Sequence, residues 1–239
     1  MKCYYDFHIH TALSPCGDDD MTPNNIVNMA VLKGLDAIAI TDHNSAGNVR
    51  ACVECGAKAG IVVIPGMEVE TSEDVHVVCL FPSVQQAEMM DSIVSENLTV
   101  IKNRADIFGN QYILNEDDTV VGCVDNLLST ATTLDIYTLV DKVNEIGGIA
   151  IPAHIDKSSY SVISNLGFIP EDIDFTAVEI KNPDRVSELK KNHAIDSCHI
   201  MHNSDAHFLW DIHEKDFFLE VNEISPNSLV RYFKQFKQM

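Results

Sequence analysis

Ala37-Ile38-Ala39-Ile40-Thr41-Asp42-His43 is a short apolar run that stops on a hydroxyl, a carboxylate and an imidazole. The run is too short for a stable helix and suits a strand covered on both faces. The same arrangement recurs along the chain. Residues 6–10 end in His8-Ile9-His10, and residues 61–65 are followed by Gly66-Met67-Glu68. Residues 149–153 run into His154, and residues 199–201 precede Ser204-Asp205-Ala206-His207. Two further apolar runs cover residues 75–81 and 177–180.

Segments of helical character lie between most of these runs. Thr22-Pro23 offers a capping hydroxyl and a proline for the first helical position, and Gly34 offers a stop. Other helices are expected near residues 46–60, 134–147, 185–193 and 225–238. Strands alternating with helices predict βα units around a parallel sheet or barrel, an α/β fold in one domain spanning residues 1–239. Residues 83–129, with the turn-rich Asn115-Glu116-Asp117-Asp118, break that rhythm. They are expected to be a small insertion packed beside the barrel.

In parallel α/β architectures the carboxyl ends of the strands open onto one face, and functional side chains collect there. Five such ends here carry His, Asp or Glu. His8 and His10 are two apart on a strand and share a face, as do Asp205 and His207. His76 begins its strand. Only residues 69–75 separate it from Glu68, too few for a helical crossover, so the strand from Val75 must return antiparallel with its start near Glu68. One buried histidine alone would read as a hydrogen-bonded core residue. Five strand ends together read as a metal centre of mixed nitrogen and oxygen donors, suited to Zn, Mn or Fe.

Other features read as structural. Cys52-Val53-Glu54-Cys55 is a single pair inside a predicted helix and has no second pair to complete a zinc site. His193, His199, His202 and His213 fall outside the pattern. Leu229, Val230, Phe233 and Phe236 form one face of the last helix, opposite Arg231, Lys234 and Lys237, and are expected to dock on the barrel. The net charge of −20 disfavours long nucleic acids and anionic membranes as partners. No apolar run approaches the roughly 18 residues of a membrane span, and residues 1–6 lack the apolar stretch of a secretory signal. Seven scattered cysteines suit a reducing compartment, and the cytoplasm is expected.

In their order, His8-Ile9-His10 with Asp18 and Met21-Thr22-Pro23, Thr41-Asp42-His43, Gly66-Met67-Glu68-Val69, Pro152-Ala153-His154 and Ser204-Asp205-Ala206-His207 resemble the PHP (polymerase and histidinol phosphatase) family. The resemblance implies a distorted (β/α)7 barrel and a metal-dependent phosphoesterase with two or three divalent ions. It implies one ion held by His8, His10, Glu68 and Asp205. A second would share Glu68 as a bridge with His76 and His154, and a third would take Asp18, His43 and His207. The loop that carries Asp18 is longer than the commonest family pattern. Counting back from Thr22 favours Asp18, counting forward from His10 points to Pro15 or Cys16, and Asp19 is the fallback.

Divalent ions clustered about 3.5–4 Å apart can share a water, lower its pKa and stabilise charge on both oxygens of an in-line displacement. Glu68, His154, Asp205 and His207 would then sit around the reacting phosphoryl group. Lys157 and Arg185 follow strand ends and are candidate cationic donors to it, with Lys181 a further possibility. Asp42, beside His43, is a candidate acceptor for a ligand imidazole N–H. The expected substrate is a small phosphomonoester or a nucleotide-type phosphodiester. A nuclease acting on short oligonucleotides and a non-catalytic metal-stabilised module are the alternatives.

Overall fold

The computed structural model describes residues 1–236. The chain begins with β1 (Lys2–Ile9), α1 (Pro23–Leu32), β2 (Ala37–Ile40), α2 (Val49–Ala59) and β3 (Val62–Glu70). β1, β2 and β3 are parallel neighbours. Every residue of β2 is buried, as its unbroken apolar run requires of a strand covered on both faces. Thr22 caps α1 by accepting the Asn25 N–H, with Pro23 at the first helical position. Gly60, at φ +77°, ends α2 in the left-handed conformation that glycine adopts without steric cost.

β4 (His76–Leu80) returns antiparallel to β3, with His76 opposite Glu70. α3 (Val84–Asn97) follows, capped by Ser83. It buries Ala87, Met90 and Val94 in the same core as the sheet. The stretch expected as an insertion from residue 83 therefore opens with a helix of the main body. Met89, 56 % exposed, blurs the apolar period of α3 and hid it in the sequence. The excursion proper comes after Asn97. It holds α4 (Ala105–Phe108) and a hairpin of β5 (Tyr112–Leu114) and β6 (Val120–Cys123). Asn44 Nδ2 donates to the carbonyls of Leu128 and Thr130, and Asn48 Oδ1 accepts the Leu114 N–H. The excursion is thus fastened to the loop that follows β2.

The remainder runs through α5 (Ile136–Ile146), β7 (Ile149–Pro152), α6 (Val162–Leu166), β8 (Ala177–Glu179), α7 (Val186–Asn192), β9 (His199–Met201), β10 (Phe218–Glu220) and α8 (Pro226–Lys234). The main sheet has the order β10-β1-β2-β3-β4-β7, and β8 and β9 form a parallel pair. Rim hydrogen bonds join the two. Ile155 N–H donates to the Glu179 carbonyl at 2.9 Å, and His10 N–H donates to the Ala206 carbonyl at 2.9 Å. The sheet therefore curls into a half-barrel whose strand exits converge. β10, an antiparallel edge strand on β1, has no counterpart in the sequence reading. α8 docks through Leu229, Val230 and Phe233, and the Phe7 and Phe233 rings meet edge to face at 6.2 Å. Lys237 and Gln238, assigned above to the last helix, lie outside the described residues. Among the described residues no helix is long and apolar enough to cross a membrane.

Candidate metal centre

The exits of β1, β2, β3 and β7, the start of β4 and the segment after β9 meet at one mouth. Glu68, 1 % exposed, stands at its centre. Its Oε1 lies 3.2 Å from His8 Nε2, 3.0 Å from His76 Nδ1 and 3.3 Å from His154 Nε2. Its Oε2 lies 3.0 Å from His43 Nδ1 and 3.5 Å from His10 Nε2. Asp205 Oδ1 is 3.4 Å from both His8 Nε2 and His10 Nε2. The His207 ring stacks on His10, with centroids 4.1 Å apart. Eight of the nine side chains singled out as ligands, all but Asp18, are thus gathered around one point.

The donor set fits divalent ions. Glu68 Oε2 and His43 Nδ1 are buried and approach within 3.0 Å, yet neither makes a hydrogen bond. His8 Nε2 and His10 Nε2 face each other at 3.1 Å. Buried ring nitrogens and carboxylate oxygens turned toward a common centre, with few protons to share, are what cations would satisfy. Three groupings, His8/His10/Glu68, His43/Glu68/His76 and His10/His43/His207, each bring ligand atoms within 4.8 Å of one another.

Backbone strain is concentrated here. His154 has φ +30° and Asp205 φ +52°, the left-handed region that residues with a Cβ rarely occupy. The surrounding rim bonds hold both in place. Asp6 accepts the Ser204 N–H at 3.0 Å, and Glu179 accepts the His154 N–H at 3.0 Å.

Charges in the cluster are tightly linked. Burial pushes the Glu68 carboxyl up, but His76 and His8 beside it hold it well below the carboxylate range. Burial also opposes a charge on His8, yet Glu179, Glu68 and Asp205 raise its pKa well above the usual imidazole value. His10 moves the other way, lowered by burial and by the His207 and His43 rings.

The supporting groups differ from the expectation. Asp42 does not meet a ligand imidazole. Its carboxylate accepts the Thr11 N–H, the Thr11 hydroxyl and the Ser14 hydroxyl, and Ser14 Oγ lies 2.9 Å from His10 Nδ1. Asp42 therefore acts on His10 through Ser14. The carboxylate that bonds a candidate ligand histidine directly is Glu179, at the end of β8 and fully buried, 3.0 Å from His8 Nδ1. Its signal was available, an acid inside the apolar run 177–180, but its partner lies across the barrel.

Asp18 is the ligand assignment the structure does not join to the cluster. Its Oδ1 accepts the Asp20 N–H at 2.9 Å, and Asp19 lies near Asn110. Cys16, two residues earlier in the same loop, interacts electrostatically with His43 and His207. Burial would raise its thiol pKa, but those two imidazoles bring it down to about 6.

Lys157, His43, Glu68, His76, His154, Ser159, Tyr160, Asp205 and His207 line a cavity of about 170 Å³. Lys157 Nζ bonds Asp205 Oδ2 at 2.5 Å. Arg185 does not line this cavity. Its guanidinium donates to the Asp156 carbonyl at 2.6 Å and reaches Glu188, so these partners hold it at a neighbouring depression. Lys181 donates to the Ser204 carbonyl. Cys52 and Cys55 are core residues of α2, and burial raises both thiols.

The PHP domain family model matches residues 6–146, more than half of the chain. The chain is 31 % identical over 97 residues to the 5'-3' exoribonuclease Rnm of Salmonella typhimurium, covering 38 % of this chain and 32 % of that one. It is 28 % identical over 186 residues to an uncharacterized protein of Methanocaldococcus jannaschii, covering 74 % and 80 %. The fold is similar to the lesion-specific endonuclease PfuEndoQ of Pyrococcus furiosus, with a TM-score of 0.73 at 19 % identity, covering 100 % of this chain and 56 % of that one. The chain thus spans about a third of the exoribonuclease and just over half of the endonuclease. Matched over residues 6–146 and folded around this histidine–carboxylate mouth, the chain belongs to the PHP domain family, the metal-dependent phosphoester hydrolases its motifs resemble.

Proposed function

We propose that the chain hydrolyses a small phosphomonoester or a nucleotide-type phosphodiester at a centre of two or three divalent ions. The observation that carries this reading is the position of Glu68, within 3.0–3.5 Å of ring nitrogens from five histidines. On this reading His8, His10, Glu68 and Asp205 hold one ion, Glu68, His76 and His154 a second, and His43 and His207 belong to a third. Bound divalent ions supply a water acidified toward neutrality and charge stabilisation for the displacement. The chain's own residues do the rest. Glu179 and Ser14 orient His8 and His10, and the strained His154 and Asp205 are held preorganised. Lys157 presents a cation to a phosphoryl oxygen at the mouth.

The cavity suggests how much of the substrate enters. At about 170 Å³ it is smaller than the roughly 300–1,000 Å³ of pockets that enclose whole ligands. It suits a phosphoryl group, with the remainder lying across the rim. Tyr160 is 48 % exposed there and stacks on His76 with centroids 4.9 Å apart. A flat exposed ring beside the phosphoryl position favours a nucleoside as that remainder.

A second reading, a nuclease acting on short oligonucleotides, draws support from the named activities of the two relatives above. It runs against the expectation that long nucleic acid is an unlikely partner, since those relatives act as nucleases. The net charge of −20 still disfavours an extended phosphate track. The test is a release assay on the metal-reconstituted chain with nucleoside bisphosphates, mononucleotides, histidinol phosphate and short oligonucleotides. Turnover of a nucleotide-type ester supports the proposal. Full metal content without turnover of any of these would replace it with a non-catalytic metal-stabilised module.

A further inference from the structure

We propose that Glu70 is a positioning residue for His76, holding the ring proton on Nε2 so that Nδ1 is free for the ion shared with Glu68. The inference rests on the metal-centre reading above and deepens it. His76 Nδ1 lies 3.0 Å from Glu68 Oε1, and Nε2 lies 3.8 Å from Glu70 Oε2, within ion-pairing distance. Both carboxylates are buried. The ring therefore stands between two acids, as the His8 ring stands between Glu68 and Glu179.

Strand geometry brings these groups together. Glu68 and Glu70 are two apart on β3 and share a face, and Glu70 is the residue directly opposite His76 on the β3–β4 ladder. The Glu70 backbone is fixed on both sides. Its N–H donates to Asn44 Oδ1 at 3.0 Å, and its carbonyl accepts the Thr132 N–H at 2.9 Å and the Thr132 hydroxyl at 2.8 Å. His76 is fixed as well, because its N–H donates to the Tyr160 carbonyl at 2.9 Å and the Tyr160 ring stacks on its imidazole. With position and ring plane set, the open variable is which nitrogen carries the proton of the neutral imidazole. A carboxylate beside Nε2 favours the proton there and leaves the Nδ1 lone pair for a metal.

The other candidate ligands show why this partner matters at one ion in particular. His8 has Glu179 behind it, His10 has Ser14, and His207 Nδ1 lies 3.0 Å from the Asp205 carbonyl. His154 Nδ1 is buried and makes no hydrogen bond among the described residues. Of the two histidines assigned to the second ion, His76 alone thus has an outer acceptor. Loss of Glu70 should loosen that ion and leave the others in place.

Stepwise Zn(II) titration of the metal-free chain against a competing chelator tests this, together with 15N spectra of the imidazoles in the zinc-loaded chain. The His76 signals are assigned by their absence in H76Q. In the wild type, His76 is expected to carry its proton on Nε2. E70M, which removes the acceptor but keeps the length of the side chain, is expected to lower one binding step about 10–100-fold and to leave the other steps unchanged. E70Q keeps an acceptor oxygen and is expected to lose less at the same step. A wild-type His76 protonated on Nδ1 overturns the proposal without recourse to any variant. Unchanged steps in E70M overturn it, and so does an equal loss at every step, which would mark Glu70 as merely structural. A chain that takes up no zinc overturns both this proposal and the phosphoesterase reading. Selective loss of one step in E70M, in a wild-type chain that does not hydrolyse bis-p-nitrophenyl phosphate, supports Glu70 and counts against the phosphoesterase reading alone.

Discussion

Glu179 lies 3.0 Å from Nδ1 of His8, on the far side of an imidazole whose Nε2 faces Glu68 at 3.2 Å. The ring is therefore held between two buried carboxylates that come from strands on different sides of the half-barrel. On the proposed reading, Glu68 would hold a metal together with the ring, and Glu179 fixes which nitrogen is free to bind it.

Removing that orientation should weaken metal binding without removing a ligand. Glu179→Gln is expected to lower affinity for Zn(II) about 10–100-fold, the usual effect of losing a carboxylate behind a ligand histidine. Competition against a chromogenic chelator measures it. Unchanged affinity would show that His8 is oriented by packing alone.

Lys157 and Arg185 should separate in kinetics although both followed strand ends in the sequence. Lys157 lines the cavity and bonds Asp205, while Arg185 is held by Asp156 and Glu188. A charge-assisted hydrogen bond is worth about 1.5–3 kcal/mol, so Lys157→Ala is expected to cut kcat/KM by about 10–100-fold. Arg185→Ala is expected to change it by less than about threefold. Equal losses in steady-state assays would contradict the placement.

Metal removal should cost stability as well as activity. A ligand present at 100 times its Kd stabilises the folded state by about 2.7 kcal/mol. For a chain of this size that corresponds to a fall in Tm of roughly 5–10 °C on chelation, reversed on adding Zn(II) or Mn(II). Thermal melts with and without chelator check this, and an unchanged Tm would mean that ions do not occupy the buried cluster.

Asp135 caps α5 by accepting the Thr138 N–H at 2.7 Å, and that bond holds its carboxyl below the usual value. Asp135→Ala is expected to destabilise the chain by about 1 kcal/mol at neutral pH. A depressed carboxyl contributes stability that is present above its unfolded pKa and lost as pH falls through its folded one. The gap between wild type and variant should therefore narrow in acid. Urea unfolding at neutral and acidic pH measures it, and a gap independent of pH would show that the cap acts without its charge.

Much of the site was legible because ligands at strand ends are a local pattern. The spacing of His8 and His10, the acid after Gly66-Met67 and the short link to His76 each followed from strand geometry, and Glu70 pairs with His76 across an antiparallel ladder. What was missed depends on how distant segments meet. Glu179 acquires its role only when β8 curls back behind β1, and Asp42 spends its carboxylate on Thr11 and Ser14 rather than on a ring. Asp18 matched a family position by counting, but its carboxylate accepts the Asp20 N–H. α3 was hidden by an exposed Met89 that broke the apolar period, and the hairpin of β5 and β6 is too short to announce itself.

The most direct test is the number of ions per chain in the wild type and in Glu68→Ala, measured by elemental analysis after reconstitution with Zn(II) or Mn(II). The Glu68 side chain is shared by the groupings around His8 and His76, so losing it should disrupt both positions. Two or three ions in the wild type, falling to one or none in a Glu68→Ala chain that keeps its circular dichroism, is the expected result. Fewer than two ions in the wild type, or a full complement in the variant, would contradict the account.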